Sequence, residues 1–195
     1  MKKEIFKSKR EFQVVLLLKY ILFFLLTFVL WKAGIKNNIF PFATGLFIAL
    51  CWCNQNVYIM SGIYILTGYL SSFSLVNVIC SSVCAGVIIF VMLIHKWCKK
   101  PIKIWMLTIY SVVSQLICIY FNYSTHEKLL SILLSIALAT IFMLACVKIF
   151  KALLVRGIGL KLTIDEKICM CVFLSSISLG LTTITLFGIS LSKIY

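Results

Sequence analysis

Long apolar runs alternate with short polar or basic breaks along almost the whole chain. The runs cover residues 14–31, 39–53, 57–73, 75–94, 104–123, 129–150 and 168–191. The breaks fall at 32–38, 54–56, 71–74, 95–103, 124–128 and 151–167. An apolar run of about 18 residues or more predicts a membrane-spanning helix. The helix satisfies its own backbone hydrogen bonds where water is absent. The pattern therefore predicts an all-α, polytopic transmembrane helical bundle of about seven spans. The second and third segments are short for a hydrocarbon layer of ~30 Å at about 1.5 Å rise per residue. They either tilt or form a re-entrant hairpin. The first run exceeds the ~7–15 residues of a signal-peptide core. It ends at Trp31-Lys32 with no small-residue cleavage pattern, so it reads as a retained span. Two regions follow: a basic cytoplasmic N-terminal arm at 1–13, and a multi-span membrane domain at 14–195.

Composition narrows the class. The 195 residues are 63% hydrophobic and 12% charged, against about 45–50% and about 25% in soluble domains. Disorder is excluded on the same grounds. The net charge of +14 is the unexpected feature, with 19 Lys and Arg against 5 acids. With seven crossings and a cytoplasmic N-terminus, fourteen of the basic residues fall in inside segments and four outside. Short cytoplasmic loops carry such an excess. The charge is a topology label and predicts a multi-pass protein of the plasma membrane. Nucleic acid is not an expected partner, because no folded basic face with reading side chains is present. The expected partner is the lipid bilayer, with the clusters at 2–10 and 96–103 close to anionic headgroups.

The reactive residues offer no catalytic, cofactor-binding or metal site. Cys51/Cys53 and Cys169/Cys171 are two apart, so on a helix they diverge by about 200° and cannot share an ion. Cys80 and Cys84 share a helix face, yet neither His nor acid accompanies them in sequence. Membrane cysteines commonly act as small hydrophobes. His95 and Cys98 could form a nucleophilic pair, but no acid orients the histidine and lysines crowd it. Trp97 and Trp105 read as interfacial anchors. His126 lies at another span end. Lys19, near the inner end of the first span, can snorkel to the headgroups. No span carries a central acid, which weighs against ion-coupled transport. Thr163 and Glu166 form a capping box before the last span, and Asp165 suits the positive end of the helix dipole. Small residues stack at Ser131/Ser135/Ala139, Ser82/Gly86 and Ser176/Gly180. They predict close helix packing within the chain, self-association, or contact with membrane-protein partners.

Two segments carry a family resemblance. The first is the basic arm and first span followed by Ile39-Phe-Pro-Phe-Ala-Thr-Gly-Leu-Phe. It continues through the break at 54–56 into Ile59-Met-Ser-Gly-Ile-Tyr-Ile-Leu-Thr-Gly. The second runs from Leu162-Thr-Ile-Asp-Glu-Lys-Ile-Cys to Ser178-Leu-Gly180-Leu. Their order and spacing resemble the membrane region of stage II sporulation protein E, the sporulation phosphatase family of endospore-forming Firmicutes. Lys167 and Ser178-Leu-Gly180 depart from that pattern. The resemblance implies about ten spans followed by a regulatory region and a metal-dependent phosphatase domain. Here the pattern stops after the seventh segment, so a shortened member or fragment is expected and no catalytic residue carries over.

The expected function is a non-catalytic integral membrane anchor for localisation and assembly in sporulation. The alternative is a small-solute transport subunit similar to the vitamin-binding components of energy-coupling-factor transporters. Against it, the first span is bulky, and no loop gathers Asn, Trp and acids into a pocket. A Cys98/His95 membrane peptidase is the third reading.

Overall fold

The computed structural model describes residues 2–33, 41–53, 56–98, 103–122, 129–156, 163–182, 185–186 and 189–190. Within them are seven helices: α1 Lys2–Lys32, α2 Pro41–Trp52, α3 Val57–Ser72, α4 Leu75–Trp97, α5 Ile104–Asn122, α6 Leu129–Arg156 and α7 Ile164–Thr182. Each corresponds to one apolar segment of the sequence. Three are long and apolar enough to cross a membrane, over Leu75–His95, Ile104–Phe121 and Ile132–Ala152. The basic arm and the first apolar run form one continuous helix, α1.

Six helices close a ring in the order α1, α3, α4, α5, α6, α7 and back to α1. The short α2 sits inside this ring and packs most extensively on α6, with further contact to α1, α3 and α5. Every side chain from 42 to 51 is buried. The sequence Pro-Phe-Ala-Thr-Gly-Leu-Phe-Ile-Ala-Leu-Cys-Trp permits this, because it holds no charge and one hydroxyl. Its 12 residues rise only about 18 Å at 1.5 Å each, against ~30 Å of hydrocarbon.

The outer surface is apolar. Leu17, Leu18 and Leu22 on α1, Phe90 on α4, Tyr120 on α5, Leu133 on α6 and Leu174 on α7 are all exposed. Contiguous apolar surface of this kind marks a lipid-facing wall. Lipid provides no hydrophobic drive between helices, so packing relies on small residues and fitted rings. Ser135 and Ala139 are buried, and a β-carbon at Gly45 would meet the carbonyl oxygen of Ala139 at 3.3 Å. Ala139 of the expected stripe on α6 thus receives Gly45 of α2. Ser176 and Gly180 are buried as well, with α7 against α1. Ser82 and Gly86 instead face outward, and nothing lies within 4 Å of a β-carbon at Gly86.

Helix ends follow local chemistry. Asn56 caps α3, its side chain accepting from the backbone of Ile59 at 3.5 Å. The far end closes with Phe73 at φ 51°, donating its N–H to Tyr69 at 2.7 Å. This left-handed position is rare for a bulky residue, and the Phe73 ring meets Tyr69 edge-on at 5.7 Å. The last segment departs from its expected extent. α7 begins at Ile164 and stops at Thr182, and Thr185–Leu186 pairs antiparallel with Ile189–Ser190. Thr182 and Thr185 are β-branched and favour extended backbone over helix.

Candidate functional site

Hydroxyls inside an apolar bundle need partners, and most find them on their own helix. Ser61, Thr67 and Ser71 of α3 donate to the carbonyls of Tyr58, Ile63 and Gly68 at 2.8–2.9 Å. Thr27 of α1 donates to the carbonyl of Phe23. Such back-bonding satisfies the hydroxyl without a second helix.

Two interhelical features stand apart. The first is aromatic. Tyr64 of α3 is fully buried, stacks on Phe47 of α2 at 4.7 Å and tilts over Trp31 of α1 at 5.3 Å. Its hydroxyl pairs with Thr44 of α2 at 2.9 Å. This joins the central helix to the wall.

The second is a thiol cluster between α4 and α5. Cys80 and Cys84 lie one turn apart on α4, and Cys118 of α5 comes to 2.9 Å from Cys80 Sγ and 3.7 Å from Cys84 Sγ. All three are buried, and their sulfurs lie within 4.8 Å of one another. Cys84 also donates to the backbone carbonyl of Ser114 at 3.5 Å. Among the described residues this is the grouping of thiol, imidazole or carboxylate donors close enough to share one ion. Sequence reasoning placed Cys80 and Cys84 on one face but did not bring in Cys118. The antiparallel α4–α5 pairing carries the signal. Cys80 is five residues from the start of α4 and Cys118 four from the end of α5, so both sit at the same depth. Cys51, Cys53, Cys169 and Cys171 form no disulfide and lie outside this cluster.

At one end of the bundle, a cavity of about 480 Å³ opens between Trp52, Ile104, Leu144, Lys148, Lys151 and Glu166. The expected capping box forms: Glu166 accepts from the Thr163 backbone at 2.8 Å, and Thr163 Oγ1 accepts from the Glu166 backbone at 3.4 Å. Asp165 pairs with Lys148 of α6 at 2.9 Å. Both acids are thus engaged in structure. His95 pairs with Tyr110 Oη at 3.3 Å, while Cys98 is exposed. Trp97 and Trp105 are exposed, as interfacial rings are. His126, the Ser131 side chain, the side chains of the basic arm, and Lys36, Lys99, Lys100, Lys128, Lys161 and Lys193 lie outside the described residues.

A helical bundle with an apolar outer wall is the architecture expected of a membrane region. The model of the SpoIIE N-terminal domain family matches residues 1–195. The chain belongs to that family. Neither a curated protein nor a solved structure matches it. As a SpoIIE N-terminal domain it is a membrane protein, and the sequence resemblance to that region holds. The SpoIIE N-terminal domain is the membrane part and not the phosphatase domain.

Proposed function

We propose that this SpoIIE N-terminal domain acts as a non-catalytic integral membrane anchor and assembly module. The observation that carries the reading is the family match over the whole chain. The apolar outer wall supports it, because a ring of helices facing lipid on all sides holds a protein at the plasma membrane. The proposed topology is multi-pass with a cytoplasmic N-terminus, from the fourteen-to-four split of basic residues. Self-association through the outward Ser82/Gly86 face of α4 supplies the assembly role. The transport alternative is disfavoured by α2, which occupies the axis of the ring where a solute path would run.

The test is a topology and extraction experiment on the full chain. Reporter fusions are expected to place the N-terminus inside and the C-terminus outside, and the chain is expected to resist alkaline extraction from membranes. Release by alkali or an N-terminus outside would overturn the reading. Tight binding of a vitamin by the purified chain would replace it with the transport alternative.

A further inference from the structure

We propose that Cys80, Cys84 and Cys118 form a three-sulfur site for one soft monovalent cation of the Cu(I) type. The inference stands apart from the anchor reading, since it concerns the α4–α5 seam and not the outer wall.

Geometry comes first. Metal–thiolate bonds are about 2.3 Å long, so three sulfurs around one ion stand about 4 Å apart. The cluster has sides of 2.9 and 3.7 Å, with all sulfurs within 4.8 Å. Loading requires the Cys80–Cys118 side to open by about 1 Å. The donors come from two helices, so the site exists only in the folded bundle. Ser114 lies one turn before Cys118 on the same face of α5. Its hydroxyl is buried with no hydrogen-bond partner, and its carbonyl already receives the Cys84 thiol. The seam therefore presents polar donors beyond what packing uses.

Donor number and type select the ion. Soft sulfur donors favour Cu(I), zinc and iron–sulfur clusters. Structural zinc takes four ligands, and three donor side chains converge here. A three-coordinate soft ion fits. Charge agrees. The charged residue buried among the described ones is Glu166, on α7, so an added net charge at this seam would go uncompensated at high cost. When a monovalent ion enters, one S–H bond breaks, that proton leaves to water, and one S–metal bond forms. The other two cysteines keep their protons and donate sulfur lone pairs as neutral thiols, weaker ligands than the thiolate, so the net charge is unchanged. A Cys80–Cys118 disulfide is the competing fate. It would use two sulfurs, leave Cys84 idle and require a two-electron acceptor.

The test uses the full chain in detergent micelles under nitrogen with a non-thiol reductant. Cu(I) alone is added, then challenged with a chromogenic Cu(I) chelator. One ion per chain is expected to be retained, with about three sulfur neighbours in X-ray absorption. Cys80→Ser, Cys84→Ser and Cys118→Ser should each weaken retention at least about tenfold, since even the loss of a group that only supports a metal ligand costs about that much. Cys98→Ser, at an exposed thiol, should leave it unchanged. The sulfur count on the unaltered chain needs no variant, so it decides the matter if a serine variant misfolds. The proposal is overturned by no retained ion, by retention insensitive to all three changes, by equal loss on Cys98→Ser, or by isolation of a Cys80–Cys118 disulfide 2 Da lighter under these conditions.

Discussion

Gly180 of α7 rests directly on Val29 of α1. A β-carbon built at Gly180 would lie 2.7 Å from Val29 Cγ1 and 2.9 Å from its carbonyl carbon. Real β-carbons do not approach other atoms so closely, and the Val29 backbone cannot step aside without moving α1. This contact closes the ring, because α7 otherwise packs chiefly on α6.

Gly180→Ala is therefore expected to destabilise the bundle by ~1–3 kcal/mol, the usual overpacking cost, despite alanine's better helix propensity. Gly180→Leu should cost more. Gly62 is the control, since nothing lies within 4 Å of a β-carbon there. Gly62→Ala should be neutral or stabilising by up to ~1 kcal/mol. Thermal unfolding in micelles reads all three. Equal behaviour of the two alanine variants would contradict the α1–α7 contact.

The Tyr64 hydroxyl is the polar link between the central helix and the wall, at 2.9 Å from Thr44. Tyr64→Phe keeps the stack on Phe47 and removes only that link. The expected loss is ~0.5–1.5 kcal/mol. Tyr64→Ala also removes the ring from between Phe47 and Trp31 and should cost ~3–5 kcal/mol. A phenylalanine variant as unstable as the alanine one would place the energy in the hydrogen bond and not in the stack.

These contacts mark where the sequence ceases to be readable. Each apolar segment became a helix because hydrophobic length alone decides that in a membrane. The Thr163/Glu166 box formed because it is local, spanning three residues. Placing α2 inside the ring was not legible, because its segment is as apolar as the lipid-facing ones and hydropathy does not separate buried from lipid-exposed. Cys118 was missed for a related reason. It lies 38 positions from its partner Cys80 in the chain, and only the packing of α4 on α5 joins them. The seventh segment was read too far because its threonines are apolar enough to extend a hydrophobic run yet resist helix.

At the start of α7, two adjacent acids do different work. Glu166 is buried and completes the cap, whereas Asp165 forms an exposed ion pair with Lys148. Thr163→Ala should cost ~1 kcal/mol through the lost cap. Asp165→Asn should change stability less, and that small effect should vanish in high salt, where exposed pairs are screened. Unfolding midpoints at low and high salt separate the two. A salt-sensitive Thr163→Ala effect would contradict the assignment of Thr163 to the cap.

The outward face of α4 gives the last expectation. Ser82 and Gly86 lie one turn apart, both exposed, with open space at Gly86. Inside the bundle, the comparable small residues Ser135 and Ala139 are buried, with Ala139 against Gly45 of α2, so small size on α6 is explained by packing within the chain. On α4 it is not, and a second helix from another copy could approach there as closely as α2 approaches α6. Gly86→Ile fills that space without touching any described neighbour. It should leave the unfolding free energy within about 0.5 kcal/mol of the parent and sharply reduce the yield of cross-linked dimer in membranes. Gly62→Ile, on another exposed face, should leave the dimer intact. Dimer yield unchanged by Gly86→Ile would remove α4 as the assembly face. A large loss of stability would instead mean that this surface is buried within the single chain.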